Sequence, residues 1–304
     1  MKKIVTYIFM SAILFSTMEV ALKIAAAGLD PFQLTFIRFM VGGLFLLPFA
    51  LVKIRKTEIK LTKEDFVYMG MIGVVCICVS MIFFQYGVMK TAASTAAVIF
   101  CTNPMFTMIF AHFITDEKIT RKKAIAAGIS IFGLLVIINP LNISLGENLL
   151  GMSFSLISAI TFGLYSAMGK RRIKKLGGLT QTSISFIMGS LVMLAILKIM
   201  NHPVLTGINS GNILVVIYVS IFVTGLGYLF YFLAMENSNS SMASLVFFVK
   251  PGIAPIIAVV VLSETIAINT ILGILLIFIG SYLTMNRADL KKVEIKKLVN
   301  ENEN

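Results

Sequence analysis

Apolar residues fill most of the chain in blocks of about twenty, separated by short stretches that hold most of the charged residues. A block of that length spans a bilayer core of about 30 Å as an α-helix. Helices are favoured over strands because each segment in lipid must satisfy its own backbone polar groups. The pattern predicts an all-α membrane protein with ten transmembrane helices, near residues 4–27, 33–52, 66–89, 93–114, 122–139, 149–169, 180–199, 212–235, 240–262 and 267–286.

Composition supports a membrane protein and argues against a soluble one. Of the 304 residues, 58% are hydrophobic and 13% are charged, and the mean hydropathy is +0.95. Soluble proteins are about 45–50% apolar and about 25% charged. The three cysteines, Cys76, Cys78 and Cys101, lie inside apolar blocks, which is typical of packing residues rather than of disulfides or a zinc site. We expect neither a metal nor a cofactor.

The basic residues predict the orientation of the chain. With a cytoplasmic N-terminus, 21 of the 26 Lys and Arg residues fall in cytoplasmic segments, and only Lys90 and Lys198 lie at outer helix ends. This asymmetry follows the positive-inside rule. We therefore expect both termini in the cytoplasm and the protein in the plasma membrane. The net charge of +12 reflects this topology and attraction to anionic lipid, not a nucleic-acid partner.

An internal duplication appears when the sequence is shifted by 147 positions. The matched residues include Phe15 with Phe162, Lys23 with Lys170, Gly42 with Gly189, Ser94 with Ser241, Pro104 with Pro251 and Glu117 with Glu264. Helices 1–5 and 6–10 are therefore two copies of one unit, and because five is odd, the copies cross the membrane in opposite senses. Such inverted repeats build secondary transporters with a site near the midplane. The predicted units are 1–146 and 147–290, followed by a cytoplasmic tail at 291–304.

Four stretches carry a resemblance to a known family. They are "LFSTMEVALK" in the first helix, "DPFQLTFIRFMVGG" entering the second, "KTAASTAAVIFCTNPMFTMIFAHFITDEKIT" in the fourth and "ENSNSSMASLVFFVKPGIAPIIAVVVLSETI" in the ninth. With these features the chain resembles the EamA-type carriers of the drug/metabolite transporter superfamily, over about residues 4–286. The resemblance implies ten helices in two repeats and export of metabolites or amphipathic compounds without ATP. We expect a small-molecule substrate and a monomer or homodimer in the bilayer.

Lys250 is the first candidate for the transport pathway, because it lies near the middle of the ninth helix, about 15 Å deep at 1.5 Å per residue. A charge at that depth costs about 2.5–3.5 kcal/mol on insertion scales and usually marks a pathway. Its repeat mate is Asn103, and each precedes a proline, Pro104 or Pro251. Each proline loosens the carbonyl four residues back, so both helices are predicted to line a cavity. The alternatives are an ion pair that only stabilises packing and a simple helix kink.

Three further charges, Glu19, Lys23 and Arg38, fall in the outer halves of the first two helices and are expected to meet near the outer mouth. Glu19 and Lys23 form an i,i+4 pair in the favoured order, and Lys23 is alternatively a structural cation at a helix end. Glu19 is a candidate for gating, proton coupling or substrate binding, and Arg38 for the pathway. Tyr86 and Tyr231, in helices 3 and 8, are candidates for cavity lining, with packing as the alternative.

Glu117 and Glu264 each stand just before an apolar block, in "DEKIT" and "SETIA". A carboxylate in a first helical turn accepts hydrogen bonds from free N–H groups. We therefore expect each glutamate to stabilise the start of its own helix.

The expected function follows from the cation at the midplane. It favours an anionic or zwitterionic, amino-acid-like cargo held by Lys250 and the Asn103 amide, in an exporter that works by alternating access. The alternative is a drug carrier in which Glu19 binds cationic amphiphiles and Lys250 acts as a release switch. An enzyme is disfavoured because the two histidines, His112 and His202, lie at opposite membrane faces, and ATP-driven transport because the sequence has no phosphate-binding G-x-x-x-x-G-K-[ST] loop.

Overall fold

The computed structural model describes residues 2–57, 60–115, 117–138, 147–238, 243 and 246–284. Within these ranges the chain is helical and has no strand, which confirms the all-α class. Seven of the described helices are long and apolar enough to cross a membrane. Three shorter apolar helices, Ala124–Ile138, Val249–Leu262 and Ile268–Gly280, stand where the fifth, ninth and tenth spans are predicted.

Each predicted span corresponds to one helix, and the helices are numbered α1 to α10 in chain order. Their bounds are α1 (Lys2–Ser16 and Met18–Ala25), α2 (Pro31–Thr57), α3 (Lys63–Val74, Val75–Met81 and Ile82–Lys90), α4 (Ala93–Phe100 and Asn103–Ile114), α5 (Arg121–Ile138), α6 (Glu147–Leu176), α7 (Gly178–Ile199), α8 (Ile213–Ile217, Tyr218–Gly227 and Tyr228–Glu236), α9 (Val246–Leu262) and α10 (Ile268–Thr284). The α6 helix continues past its predicted end because Lys and Arg, although polar, are good helix formers. Three predicted features lie outside the described residues: the start of the ninth helix at 240, Ser241, and the tail at 291–304. The division between the repeats at 146/147 stays a prediction.

Irregular turns interrupt four of the helices near their middles. The α1 helix breaks at Thr17, whose hydroxyl donates to the carbonyl of Leu14 at 2.8 Å. The α4 helix breaks before Asn103. Matching π-helical turns lie in α3 and α8, at Val75–Met81 and Tyr218–Gly227. Such turns are frequent at functional sites, so the irregular backbone concentrates where the two repeats meet.

Each repeat packs its first helix into the other repeat. The α1 helix lies against α8 and α9, and its mate α6 lies against α3 and α4. The pairs α2–α7, α4–α9 and α5–α10 also join matching helices of the two repeats. The core therefore lies between the repeats and is lined by both.

Two glycines bring helices of different repeats into backbone contact. A Cβ on Gly42 would lie 2.8 Å from the carbonyl oxygen of Ser220, and one on Gly189 would lie 2.5 Å from that of Gly73. Gly42 and Gly189 are repeat mates, and so are Gly73 and Ser220. Small residues allow such close crossings in membrane proteins. The same crossing therefore occurs twice, as α2 with α8 and α7 with α3, which fits two inverted copies of one unit.

Candidate functional site

A buried ion pair joins the two repeats. Glu19 follows the break in α1, and Lys250 stands on α9 just before Pro251. Lys250 Nζ donates a hydrogen bond to Glu19 Oε1 across 231 positions of sequence. The two side chains are 0% and 1% exposed. Because one buried charge alone is far more costly than a pair, each of the two residues explains how the other is tolerated in the interior.

The predicted i,i+4 pair of Glu19 with Lys23 is wrong. Lys23 Nζ instead lies 3.1 Å from Glu264 Oε1 and 3.0 Å from the carbonyl oxygen of Thr91. An i,i+4 ion pair stabilises a helix by only about 0.2–0.5 kcal/mol. Leaving the buried Lys250 ammonium without a counter-charge costs more, so Glu19 pairs with Lys250. The Lys23 side chain is 33% exposed whereas Glu19 is buried. The predicted cluster of Glu19, Lys23 and Arg38 at the outer mouth therefore does not form.

Two aromatic rings flank the Lys250 ammonium. Nζ lies 5.0 Å from the ring centroid of Phe100 and 5.7 Å from that of Phe84. Both rings are buried, and they lie 4.6 Å apart in a tilted arrangement. A cation at this distance is attracted by the negative face of a ring. The side chains around Lys250, a carboxylate and two aromatic rings, therefore suit an ammonium.

Asn103 uses its own amide to repair the backbone of α4. Its Nδ2 donates to the carbonyl oxygen of Phe100 at 2.7 Å, the carbonyl that Pro104 leaves without an N–H donor. The loosened carbonyl predicted at this position is therefore already satisfied. Asn103 Oδ1 is buried and has no hydrogen-bond partner in the described part of the chain. The break in α4 thus presents one unpartnered amide oxygen to the interior.

Arg38, on α2, is fully buried. Its Nη1 lies 3.9 Å from the sulfur of Met18, and its guanidinium carbon lies 4.7 Å from the ring centroid of Phe39. Met18 directly precedes Glu19, so Arg38 borders the ion pair from a second helix of the first repeat.

The two tyrosine candidates lie in different places. Tyr231 is fully buried in the aromatic core between the repeats, 5.6 Å from Phe247 in ring centroids. Tyr86 is half-buried, and its ring contacts Phe32 at 6.0 Å and Phe154 at 5.8 Å. Tyr231 therefore belongs to the core that carries the ion pair, whereas Tyr86 packs against Phe32 and Phe154.

Glu264, between α9 and α10, caps a helix of the other repeat. Its carboxylate accepts hydrogen bonds from the N–H groups of Ala93 at 2.8 Å and Ser94 at 3.1 Å, and from the Ser94 hydroxyl at 2.8 Å. The predicted cap of its own helix is wrong, because α10 starts four residues later at Ile268. Burial raises the pKa of the Glu264 carboxyl, but these hydrogen bonds and Lys23 outweigh it and hold the pKa below its usual range.

The repeat mates Lys170 and Glu117 lie at the opposite end of the molecule. Lys170 Nζ donates to the carbonyl oxygens of Met235 at 2.7 Å and Ser238 at 2.9 Å, and Ser238 is the mate of Thr91. Glu117, the mate of Glu264, lines a cleft of about 610 Å³ together with Lys170, Arg171 and Lys174. One end of the molecule therefore carries the Lys23–Glu264 ion pair, and the matching residues at the other end line a cleft.

Two features of the site escaped the sequence reasoning. Phe84 beside Lys250 carries no signal, because a phenylalanine in an apolar block is ordinary. The partner of Lys23 carries only an indirect signal: Lys23, Glu264 and Thr91 are the repeat mates of Lys170, Glu117 and Ser238. Residues matched across inverted copies occupy equivalent places at opposite ends, but the shift by 147 does not show that Lys23 and Glu264 are in contact.

The chain is similar in sequence to a transporter family and to several known proteins. The EamA-like transporter family matches residues 2–139 and 149–286. An uncharacterized transporter of Clostridium kluyveri is 37% identical over 306 residues, which cover 99% of this chain and 98% of the relative. Protein PagO of Salmonella typhimurium is 23% identical and covers 89% of each chain. The S-adenosylmethionine uptake transporter of Rickettsia prowazekii is 26% identical over 192 residues and covers 63% of each.

A protein of known crystal structure shares the fold. It superposes with a TM-score of 0.69 at 17% sequence identity, over 93% of this chain and 97% of its own. The two matched segments, the ten helices and the inverted crossing of matching helices agree with one another. The chain belongs to the EamA-like transporter family, and it is a multi-pass membrane transporter of the drug/metabolite transporter superfamily.

Proposed function

We propose that this transporter is a secondary carrier that exports a small zwitterionic, amino-acid-like metabolite across the plasma membrane, with both termini in the cytoplasm. The observation that carries the proposal is the buried Glu19–Lys250 ion pair between the repeats. Intramembrane charges usually mark substrate pathways, and inverted-repeat carriers bind cargo at this level between the repeats.

A zwitterion matches the groups of the site. Glu19 Oε1 accepts from Lys250, and Glu19 Oε2 is buried without a hydrogen-bond partner in the described residues. The ammonium of the cargo binds this second oxygen, and its carboxylate binds the cationic side of the site. In the empty carrier, Lys250 neutralises Glu19 so that no lone charge crosses the interior. Glu19 is also the candidate for a coupling proton.

The two ends of the molecule support alternating access. Lys23 and Glu264 seal one end, and Lys170 and Glu117 border the cleft at the other. The positive-inside rule assigns the cleft to the cytoplasm, where an exporter loads its cargo. In the opposite state, the contact between Lys23 and Glu264 opens and the cleft beside Lys170 and Glu117 closes.

One relative supports the substrate class. The Rickettsia prowazekii protein is named for uptake of S-adenosylmethionine, a molecule with an α-ammonium and a carboxylate. Its name states uptake, whereas we propose export, so the support concerns the cargo alone.

A second function has its own supporting observation. The rings of Phe84 and Phe100 beside the ammonium of Lys250 suit an organic cation. In this alternative, Glu19 binds cationic amphiphiles and Lys250 returns to Glu19 when they leave. This second function differs from the first in its cargo, which has no carboxylate.

Counterflow in proteoliposomes tests the proposal. Vesicles loaded with the twenty standard L-amino acids are diluted into each labelled amino acid, and a parallel set uses a fluorescent lipophilic cation. We expect uptake of a subset of the amino acids by the wild type, its loss in Glu19→Gln and Lys250→Met, and its retention in the control Lys198→Gln. Transport of the cation alone, or equal transport by all variants, would contradict the proposal.

A further inference from the structure

The charges buried in the interior do not balance. In the described part of the chain, four charged side chains are less than 2% exposed, namely Glu19, Arg38, Asp65 and Lys250. Glu19 pairs with Lys250, and Asp65 pairs with the partly exposed Arg172 at 2.9 Å. Arg38 is left without a carboxylate partner among the described residues. A guanidinium keeps its proton in proteins, so a positive charge stays in the core beside the ion pair.

The unpartnered atoms of Arg38 share one edge of the guanidinium. Nη1 faces the sulfur of Met18 at 3.9 Å, whereas Nε and Nη2 are buried and have no hydrogen-bond partner within the described ranges. By the covalent geometry of arginine, the Nε–H and one Nη2–H point the same way. That edge forms two parallel N–H···O bonds with a carboxylate. Its geometry fits a planar oxyanion better than a single carbonyl.

The two groups expected to hold the carboxylate of the cargo each already donate one hydrogen bond within the protein. Lys250 Nζ donates to Glu19, and Asn103 Nδ2 donates to the carbonyl of Phe100. Arg38 lies beside Met18, the neighbour of Glu19 in α1. Within the described ranges, the Nε–Nη2 edge of Arg38 on α2 and Glu19 Oε2 on α1 both lack a hydrogen-bond partner. The contact of Arg38 with Met18 brings these two helices together.

We propose that the Nε–Nη2 edge of Arg38 is the subsite that binds the carboxylate of the cargo, while Glu19 Oε2 binds its ammonium. This assignment rests on the proposed function and makes it more specific. It requires a carboxylate: an amino-acid amide keeps the ammonium but offers Arg38 no charge. It also makes arginine distinct from lysine at position 38, because an ammonium cannot form the two parallel bonds.

Heat unfolding of the purified protein in detergent tests the assignment, because a ligand that binds only the folded state raises the midpoint. The probes are each standard L-amino acid and its carboxamide, applied to wild type, Arg38→Met, Arg38→Lys and the control Lys198→Gln. We expect at least one amino acid, and not its amide, to raise the wild-type and control midpoints. We expect no shift in Arg38→Met and at least tenfold weaker apparent affinity in Arg38→Lys.

The unliganded variants separate a ligand role from a structural one. Removal of an unpaired buried charge leaves Arg38→Met at least as heat-stable as wild type, whereas a structural arginine would make it less stable. An amino-acid shift that persists in Arg38→Met, or an amide that shifts the wild type equally, would overturn the assignment and leave the carrier proposal standing. If no amino acid shifts the wild type, the proposed function fails as well.

Discussion

Lys250 of α9 donates a hydrogen bond to Glu19 of α1, 231 positions away in the sequence. This contact joins the two repeats of the transporter. Neither side chain is accessible to water in this conformation. In the proposed cycle the repeats separate, so this pair has to break or take new partners. The proposal therefore makes the pair both a source of stability and the place where cargo competes.

The first prediction concerns the energetics of that pair. Lys250→Met leaves the Glu19 carboxylate buried alone, and Glu19→Gln leaves the ammonium alone, so each lowers stability by about 3–5 kcal/mol. The double variant removes both charges and is expected to be more stable than either single variant. Heat unfolding in detergent measures all four proteins. Additive losses in the double variant would show that the two residues do not act as a pair.

The second prediction concerns the repaired backbone of α4. Asn103→Ala leaves the carbonyl of Phe100 without a donor and is expected to cost about 1–3 kcal/mol. In Asn103→Ala with Pro104→Ala, a backbone N–H returns at position 104 and can donate to the same carbonyl. Heat unfolding should show that the second substitution recovers part of the loss. A further loss in the double variant would contradict the proposed repair.

The third prediction concerns the seal between Lys23 and Glu264. Glu264→Gln removes the ion pair and weakens the cap on Ala93 and Ser94. We expect Cys101, 1% exposed in the wild type, to react faster with a water-soluble maleimide, in a background without the other two cysteines. The control is Glu236→Gln, which removes an ion pair with Lys53 elsewhere. Equal labelling rates in both variants would mean that Glu264 does not close the core.

The fourth prediction is the pH dependence of the same seal. The pKa of Glu264 is depressed in the folded state, so its stabilising contribution is complete above the unfolded pKa of about 4.3 and is lost as pH falls through the folded pKa. The difference in unfolding midpoint between wild type and Glu264→Gln should be constant from about pH 5 to 8 and shrink below about pH 4. A difference that grows on acidification has the wrong sign for this account.

The fifth prediction uses two glycines in similar helices. Gly189→Ala places a Cβ 2.5 Å from the backbone oxygen of Gly73, so α7 and α3 must separate. Gly128→Ala meets nothing within 4 Å and gains about 1 kcal/mol of helix propensity. We expect a lower unfolding midpoint in the first variant and an equal or higher one in the second. Similar midpoints would show that the crossing tolerates a side chain.

The sequence predicted the number and order of the helices because bilayer thickness imposes a run length that can be read directly. It also predicted the inverted repeat, since Lys23, Pro104 and Glu117 recur at one offset. It did not predict the break at Thr17 or the π-helical turns, because mean hydropathy responds to side-chain polarity and not to backbone hydrogen bonding. For the same reason, a hydropathy pattern ends the sixth helix before its basic last turns, which the structure includes up to Leu176.

The ion pair itself could not be predicted from local spacing. The repeat mates of Glu19 and Lys250 are Ser166 and Asn103, so the duplication gives no charged counterpart to follow. The helical i,i+4 rule selected Lys23 as the partner of Glu19, and it fails because burial, not spacing, determines which cation a buried carboxylate takes. The depth of Lys250 in its apolar block predicts a pathway residue, whereas its partner follows only from the packing of α1 against α9.

The proposed mechanism requires an ammonium at position 250, facing Glu19, in a site that opens to water during transport. Chemical rescue of Lys250→Cys, in a chain otherwise without cysteine, measures this requirement. A thiosulfonate that adds an aminoethyl arm restores a lysine-like ammonium, and a methyl thiosulfonate adds only an apolar cap. We predict that counterflow returns after the first reagent only, and only while Glu19 is present. Full activity of unmodified Lys250→Cys, or equal rescue by both reagents, would contradict the account.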